Sequence, residues 1–157
     1  MQQDRIYKIS WRSILTLMFF GGLMFLLVCF SIFLSHIFIS AIWLLLAIVC
    51  LGYAFYLLKK RKEAKAFYWD DEGIVIDLQG NKVYWEEIES IQYSNVRGSK
   101  STVIYPHYTF HEKIRIRRKK LMPTPAHSID WFYIEKPKEF HQILMETWEE
   151  KTFKPKS

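Results

Sequence analysis

ILTLMFFGGLMFLLVCFSIFLSHIFISAIWLLLAIVCLGYAFYLL, residues 14–58, runs without a single Asp, Glu, Lys or Arg. One helix of that length would extend about 68 Å at about 1.5 Å per residue, whereas a bilayer's hydrocarbon core is about 30 Å thick. Two passes of about 20 residues each use the stretch almost completely. A secretory signal has an apolar core of only about 7–15 residues, so that reading is set aside. The sequence predicts a membrane hairpin over residues 13–58, with spans near 13–33 and 38–58. The uncharged Leu34-Ser35-His36-Ile37 reverses the chain between them.

Charge clusters at the two ends of this block. Arg5, Lys8 and Arg12 against Asp4 leave a net +2 in the N-terminal segment, residues 1–12. Lys59, Lys60, Arg61, Lys62 and Lys65 against Glu63 leave +4 in a juxtamembrane collar, residues 59–65. Together these account for the whole-chain +6, so residues 66–157 are formally neutral. The basic character therefore belongs to two collars and not to a nucleic-acid-binding domain, which would concentrate the excess in itself. Lys and Arg accumulate on the side of a membrane that stays inside. Both ends are expected in the cytosol, with Trp11 and Tyr56 placed as interfacial anchors. The collar is also a candidate contact for anionic headgroups.

The hairpin itself offers no chemistry. It holds no charged residue, and His36 falls at the turn. Gly21-Gly22, Ser31 with Ser35, and Ser40-Ala41 provide close-approach positions without a GxxxG pattern. Cys29 and Cys50, the chain's two cysteines, both lie inside the apolar block, which rules out a disulfide framework in the polar part.

After the collar the apolar period changes from helical to two. Strands are expected at 66–70, 74–78, 83–85, 88–93 and 102–105, with turns at Asp71-Glu72-Gly73 and Gln79-Gly80-Asn81-Lys82 and a loop over 96–101. The clearest alternation runs from His107 to Arg118. It sets Tyr108, Phe110, Ile114 and Ile116 against Thr109, His111, Lys113, Arg115 and Arg117. A seventh strand is expected over 127–134. A closing helix follows, with Pro137 at its first position and an apolar stripe of Phe140, Ile143, Leu144, Thr147 and Trp148. Residues 152–157 read as a tail.

This order resembles the bacterial pleckstrin-homology-like (PH-like) domains found behind two-helix anchors in small membrane proteins. The resemblance covers residues 66–151. It is carried by Asp71-Glu72-Gly73-Ile74-Val75-Ile76 with Gly80, by Val83-Tyr84-Trp85-Glu86-Glu87-Ile88-Glu89-Ser90-Ile91, and by Pro137-Lys138-Glu139-Phe140. It implies an all-β PH-like barrel or sandwich of about seven antiparallel strands capped by a C-terminal α-helix. It also implies a multi-pass protein of the bacterial cell membrane. Eukaryotic relatives bind phosphoinositides through basic residues of the first strand pair, but the turn here is the acidic Asp70-Asp71-Glu72.

On a strand, Lys113, Arg115 and Arg117 would share one solvent face, with Arg118, Lys119 and Lys120 at its end. These six are the candidate interaction face for an acidic partner or an anionic leaflet. His107 and His111 would lie about 13 Å apart on a strand, too far to share one ion, and no CxxC or HExxH occurs with them. GxSxG and Walker A motifs are missing, and Glu86, Glu87 and Glu89 read as a surface turn. Trp69, Trp85, Trp131 and Trp148 read as core or helix-docking residues. The expectation is a non-enzymatic module without cofactor or metal, integral to the membrane through two spans, that binds a protein partner or the anionic inner leaflet and no nucleic acid. The alternative is an immunity-type or protective small membrane protein that acts through its hairpin.

Overall fold

The computed structural model describes residues 6–63 and 67–153. They form two compact units. One is a helical hairpin, Ile9–Glu63; the other combines the chain up to Lys8 with the chain after the hairpin.

In the hairpin, α1 (Trp11–Phe33) and α2 (Ile37–Lys62) are joined by three residues. Ser10 starts α1, its hydroxyl accepting the Arg12 amide at 3.1 Å. At the far end Ser35 takes a left-handed φ of 61°. The Ser35 amide donates to Ile32 O and the His36 amide to Ser31 O. This is a Schellman ending, and it explains how so short a link turns the chain. Buried positions recur every seven residues, Gly21 and Val28 on α1 facing Ser40, Ala47 and Ala54 on α2. A Cβ on Gly21 would sit 2.7 Å from the Leu51 side chain, so glycine sets the helix separation there. Small residues let membrane helices approach closely. The outward residues Phe19, Phe25, Leu26, Phe30, Ile42, Leu45, Ile48 and Phe55 are apolar and exposed. Both helices are long and apolar enough to cross a membrane, and only about a fifth of either apolar stretch is buried (22% and 17%). A core helix of a water-soluble protein would be mostly covered.

The second unit holds β1 (Gly73–Val75) paired antiparallel with β2 (Lys82–Tyr84), and a sheet of β3 (Ile88–Val96), β4 (Ser99–Pro106) and β5 (His127–Asp130) in that order. A short helix, α3 (His111–Arg117), lies between β4 and β5, and α4 (Pro137–Phe153) closes the chain. The described residues thus make five strands in two small sheets. This corrects the expectation of about seven strands in a PH-like barrel or sandwich.

Of three local differences from the expectation, the first and third lower the strand count and the second lengthens two strands. Residues 67–69 make isolated bridges only, Phe67 to Tyr7 and Trp69 to Ile74. The segment 96–101 is no loop, because β3 and β4 continue to a tight turn at Arg97-Gly98, both at positive φ (51° and 87°). The alternating stretch His107–Arg118 is helical: a 3-10 turn at Tyr108–Phe110 leads into α3. Phe110 and Ile114 are four apart and therefore neighbours on a helix as well; Ile114 is buried, whereas Tyr108 and Ile116 are exposed. Half of the apparent alternation was thus never a buried face, and Glu112, Lys113 and Arg115 favour helix. Helix α4 also continues through 152 and 153, where a tail was expected; residues 154–157 lie outside the described set.

Turn chemistry follows the sequence. Asp70 Oδ1 accepts the amides of Glu72 and Gly73, both at 3.0 Å. A Cβ on Gly73 would lie 2.2 Å from Val83 O, so only glycine fits. Asp77 Oδ1 accepts the Gln79 and Asn81 amides, and Gly80 takes a φ of 85°. The core gathers Ile74, Val83, Ile91, Ile104, Ile114, Ile129 and Ile134 beneath Phe140 and Leu144 of α4.

The residue entering the hairpin also belongs to this core. Tyr7 and Phe67 exchange two backbone hydrogen bonds, 2.9 and 3.2 Å, and Lys8 O accepts the Glu135 amide at 2.9 Å. The Tyr7 ring stacks on Trp69 at 5.6 Å and meets Phe140 edge-on at 5.2 Å. What read as a separate N-terminal segment supplies a strand position to the C-terminal domain.

Candidate functional site

Helix α3 decides what the six basic candidates do. Successive side chains on a helix fan out by about 100°, and residues two apart do not share a face. Arg115 therefore turns away from Lys113 and Arg117, which lie four apart and stay neighbours on the helix; this corrects the single solvent face expected from a strand.

Arg117 turns inward. Its Nη1 donates to Glu87 Oε1 at 2.8 Å and its Nη2 to Glu87 Oε2 at 2.6 Å, while Nη2 also reaches Lys82 O at 3.0 Å. The guanidinium lies 4.5 Å from the centre of the Tyr84 ring. Glu87 is completely buried and additionally accepts the Tyr84 amide. It is no surface-turn residue, contrary to the sequence expectation. The Glu87 carboxylate raises the Arg117 pKa against the opposing effect of burial. Arg118 points another way, donating to Asp77 Oδ2 at 3.1 Å and to His127 Nδ1 at 2.7 Å. A guanidinium only donates, so Nδ1 accepts and the neutral ring carries its proton on Nε2. Burial, helped by Arg118, Lys120 and His111, pushes His127 down to about 4.

Arg115 pairs with Glu112 one turn back and donates to Leu121 O at 3.3 Å. The remaining three behave differently. Lys113 lies 5.7 Å from the Phe110 ring centre, and Lys120 Nζ is 3.4 Å from Thr124 Oγ1. Lys119 occupies a left-handed φ of 51°. Among the described residues none of these three lysines meets a carboxylate. The basic run is therefore divided into two arginines that fasten α3 to the rest of the domain, Arg117 and Arg118, a third, Arg115, whose contacts stay within α3 and the turn after it, and three exposed lysines.

The collar is divided in the same way. Arg61 donates to Ile9 O and stacks over the Trp11 ring at 4.8 Å, joining the two ends of the hairpin. Lys59 and Lys60 approach Glu63 at 4.0 Å, and Lys60 also lies over Tyr56. Lys62 is the last residue of α2, and Lys65 lies outside the described residues.

The histidines are engaged in local contacts. His107 Nδ1 is 2.7 Å from Thr109 Oγ1, and His111 Nε2 is 3.0 Å from Pro106 O. His141 Nδ1 meets Thr102 Oγ1, which also accepts Trp131 Nε1. Among the described residues no three His, Cys, Asp or Glu side chains converge on a metal position. Glu87 and the Tyr7 strand position escaped sequence reasoning, since each partner lies far along the chain.

Comparison with protein families, curated proteins and solved structures finds no match to this chain.

Proposed function

We propose that the chain is a two-span integral membrane protein whose C-terminal domain is a non-enzymatic binding module on the cytosolic face. The observation that carries this reading is the antiparallel pairing of Tyr7 with Phe67. The residues entering and leaving the hairpin share one folded domain, so a hairpin that crosses a bilayer returns the chain to the face it left. The apolar outer surfaces of α1 and α2 support insertion, and the basic residues at both ends support an N-in, C-in orientation.

No reaction is assigned to the domain. Its least exposed ion pairs, Lys82 with Asp70, Arg117 with Glu87 and Arg118 with Asp77, fasten distant segments of the chain together. The relation to bacterial PH-like domains belongs to this proposal, in an open, five-stranded form. Its supports are the Trp85-Glu86-Glu87 corner ahead of β3 and the helix beginning at Pro137. A bacterial cell membrane as the setting rests on that resemblance. The module meets the anionic inner leaflet or a protein held there.

Exchange of residues 14–58 for an unrelated two-span hairpin tests the reading. Crosslinking from the domain's lysines in native membranes is expected to give an unchanged set of products. Loss of those products would transfer the function to the hairpin, as in an immunity-type protein.

A further inference from the structure

We infer that the end of α3 and the turn after it, Lys113 to Met122, form a contact surface for an anionic lipid bilayer. This rests on the membrane-anchored reading above and deepens it by naming the lipid class and the residues.

Helix α3 is held from one side. Ile114 is buried, and Arg117 and Arg118 reach inward to Glu87 and Asp77. Lys113 and Ile116, three apart and so neighbours on the helix, are left outside. The helix ends in a Schellman turn, with the Lys119 amide donating to Ile116 O and the Lys120 amide to Arg115 O. Arg115 then holds Leu121 by its carbonyl. The backbone is thus anchored while the side chains are not: Ile116 is 65% exposed, Leu121 96% and Met122 78%. Lys113, Lys119 and Lys120 are exposed beside them without a carboxylate partner among the described residues.

Three large apolar tips among three uncompensated ammonium groups suit a bilayer surface. The tips enter the headgroup–acyl boundary, and the lysine stems lie along it with their charges at the phosphates. A protein groove would accommodate the apolar tips but would gain from the three lysines only if it set carboxylates opposite them. The hairpin keeps the bilayer at high effective concentration. A lysine near an anionic leaflet shifts the docked-to-free ratio about fivefold, so three together shift it by about a hundredfold.

The test uses the full chain with Cys29→Ala and Cys50→Ala, and an environment-sensitive fluorophore on a cysteine introduced by Leu121→Cys. It is reconstituted in nanodiscs of phosphatidylcholine alone or of phosphatidylcholine mixed with phosphatidylglycerol. Expected are a blue-shifted emission and quenching by headgroup-proximal spin-labelled lipid in the mixed discs. The shift is expected to be lost when Lys113, Lys119 and Lys120 are all changed to Gln. Equal emission in both kinds of disc, or a shift that survives the triple change, would overturn the inference. So would a photocrosslinker at position 122 that captures a protein instead of lipid in native membranes. Failure of the anchored reading shows separately, as impermeant labelling of the domain from outside intact cells.

Discussion

The Arg117 guanidinium grips the buried Glu87 carboxylate with both terminal nitrogens, at 2.8 and 2.6 Å. Thirty residues of chain separate the two, and their pairing fastens α3 to the corner between β2 and β3. Removing one partner of such a pair leaves an uncompensated buried charge, at a cost of about 3–5 kcal/mol. Arg117→Ala is expected to lose about that much stability, while Glu87→Gln combined with Arg117→Met regains a large part of it. Denaturant unfolding of the three proteins checks this, and a double variant no better than Arg117→Ala would contradict it.

Lys119 ends α3 in a left-handed conformation that glycine adopts without strain. Lys119→Gly is expected to raise stability by about 1 kcal/mol while weakening contact with phosphatidylglycerol discs. A melting temperature that rises as lipid contact falls separates the two roles of this residue.

Acid should weaken the domain through His127. Its native pKa of about 4 lies below the ordinary 6.5, so the unfolded chain binds more protons between those values and stability falls as pH drops from 6.5 towards 4. Above 6.5 both states are neutral, and below 4 both are charged, so this contribution is flat outside the window. His141, lowered by burial, acts in the same direction. The melting temperature is expected to decline across the window, and His127→Gln to flatten the decline. An unchanged slope in that variant would contradict the assignment.

Gly73 has no room for a side chain, since a Cβ would meet Val83 O at 2.2 Å and Tyr84 Cα at 2.7 Å. Gly73→Ala is expected to cost about 1–3 kcal/mol or more by overpacking. Gly22, with nothing within 4 Å of an added Cβ, is expected to accept Ala freely. Thermal unfolding of the two variants measures the contrast.

The parts of this fold visible in the sequence are those set by neighbours along the chain. The uncharged run to Leu58 marks the hairpin, Asp70 and Gly73 mark the first turn, and Phe140 with Leu144 marks the buried stripe of α4. Features set by distant partners were hidden. Tyr7 gives no local sign that it pairs with Phe67, nor Glu87 that it waits for Arg117. Helix α3 was misread because Phe110 and Ile114 satisfy both the period of a strand and that of a helix. That misreading carried the basic candidates with it, placing on one face arginines and lysines that the helix divides between the core and the solvent.

The central claim is that Tyr7 and Phe67 belong to one domain on the inner face, with the hairpin turn on the other. Single cysteines at Lys8→Cys, His36→Cys and Ser128→Cys, each with Cys29→Ala and Cys50→Ala, test it with a membrane-impermeant maleimide. The account predicts labelling at position 36 in intact cells, and at positions 8 and 128 only after lysis. Labelling of position 128 from outside intact cells, or of positions 8 and 128 from opposite faces, would contradict it.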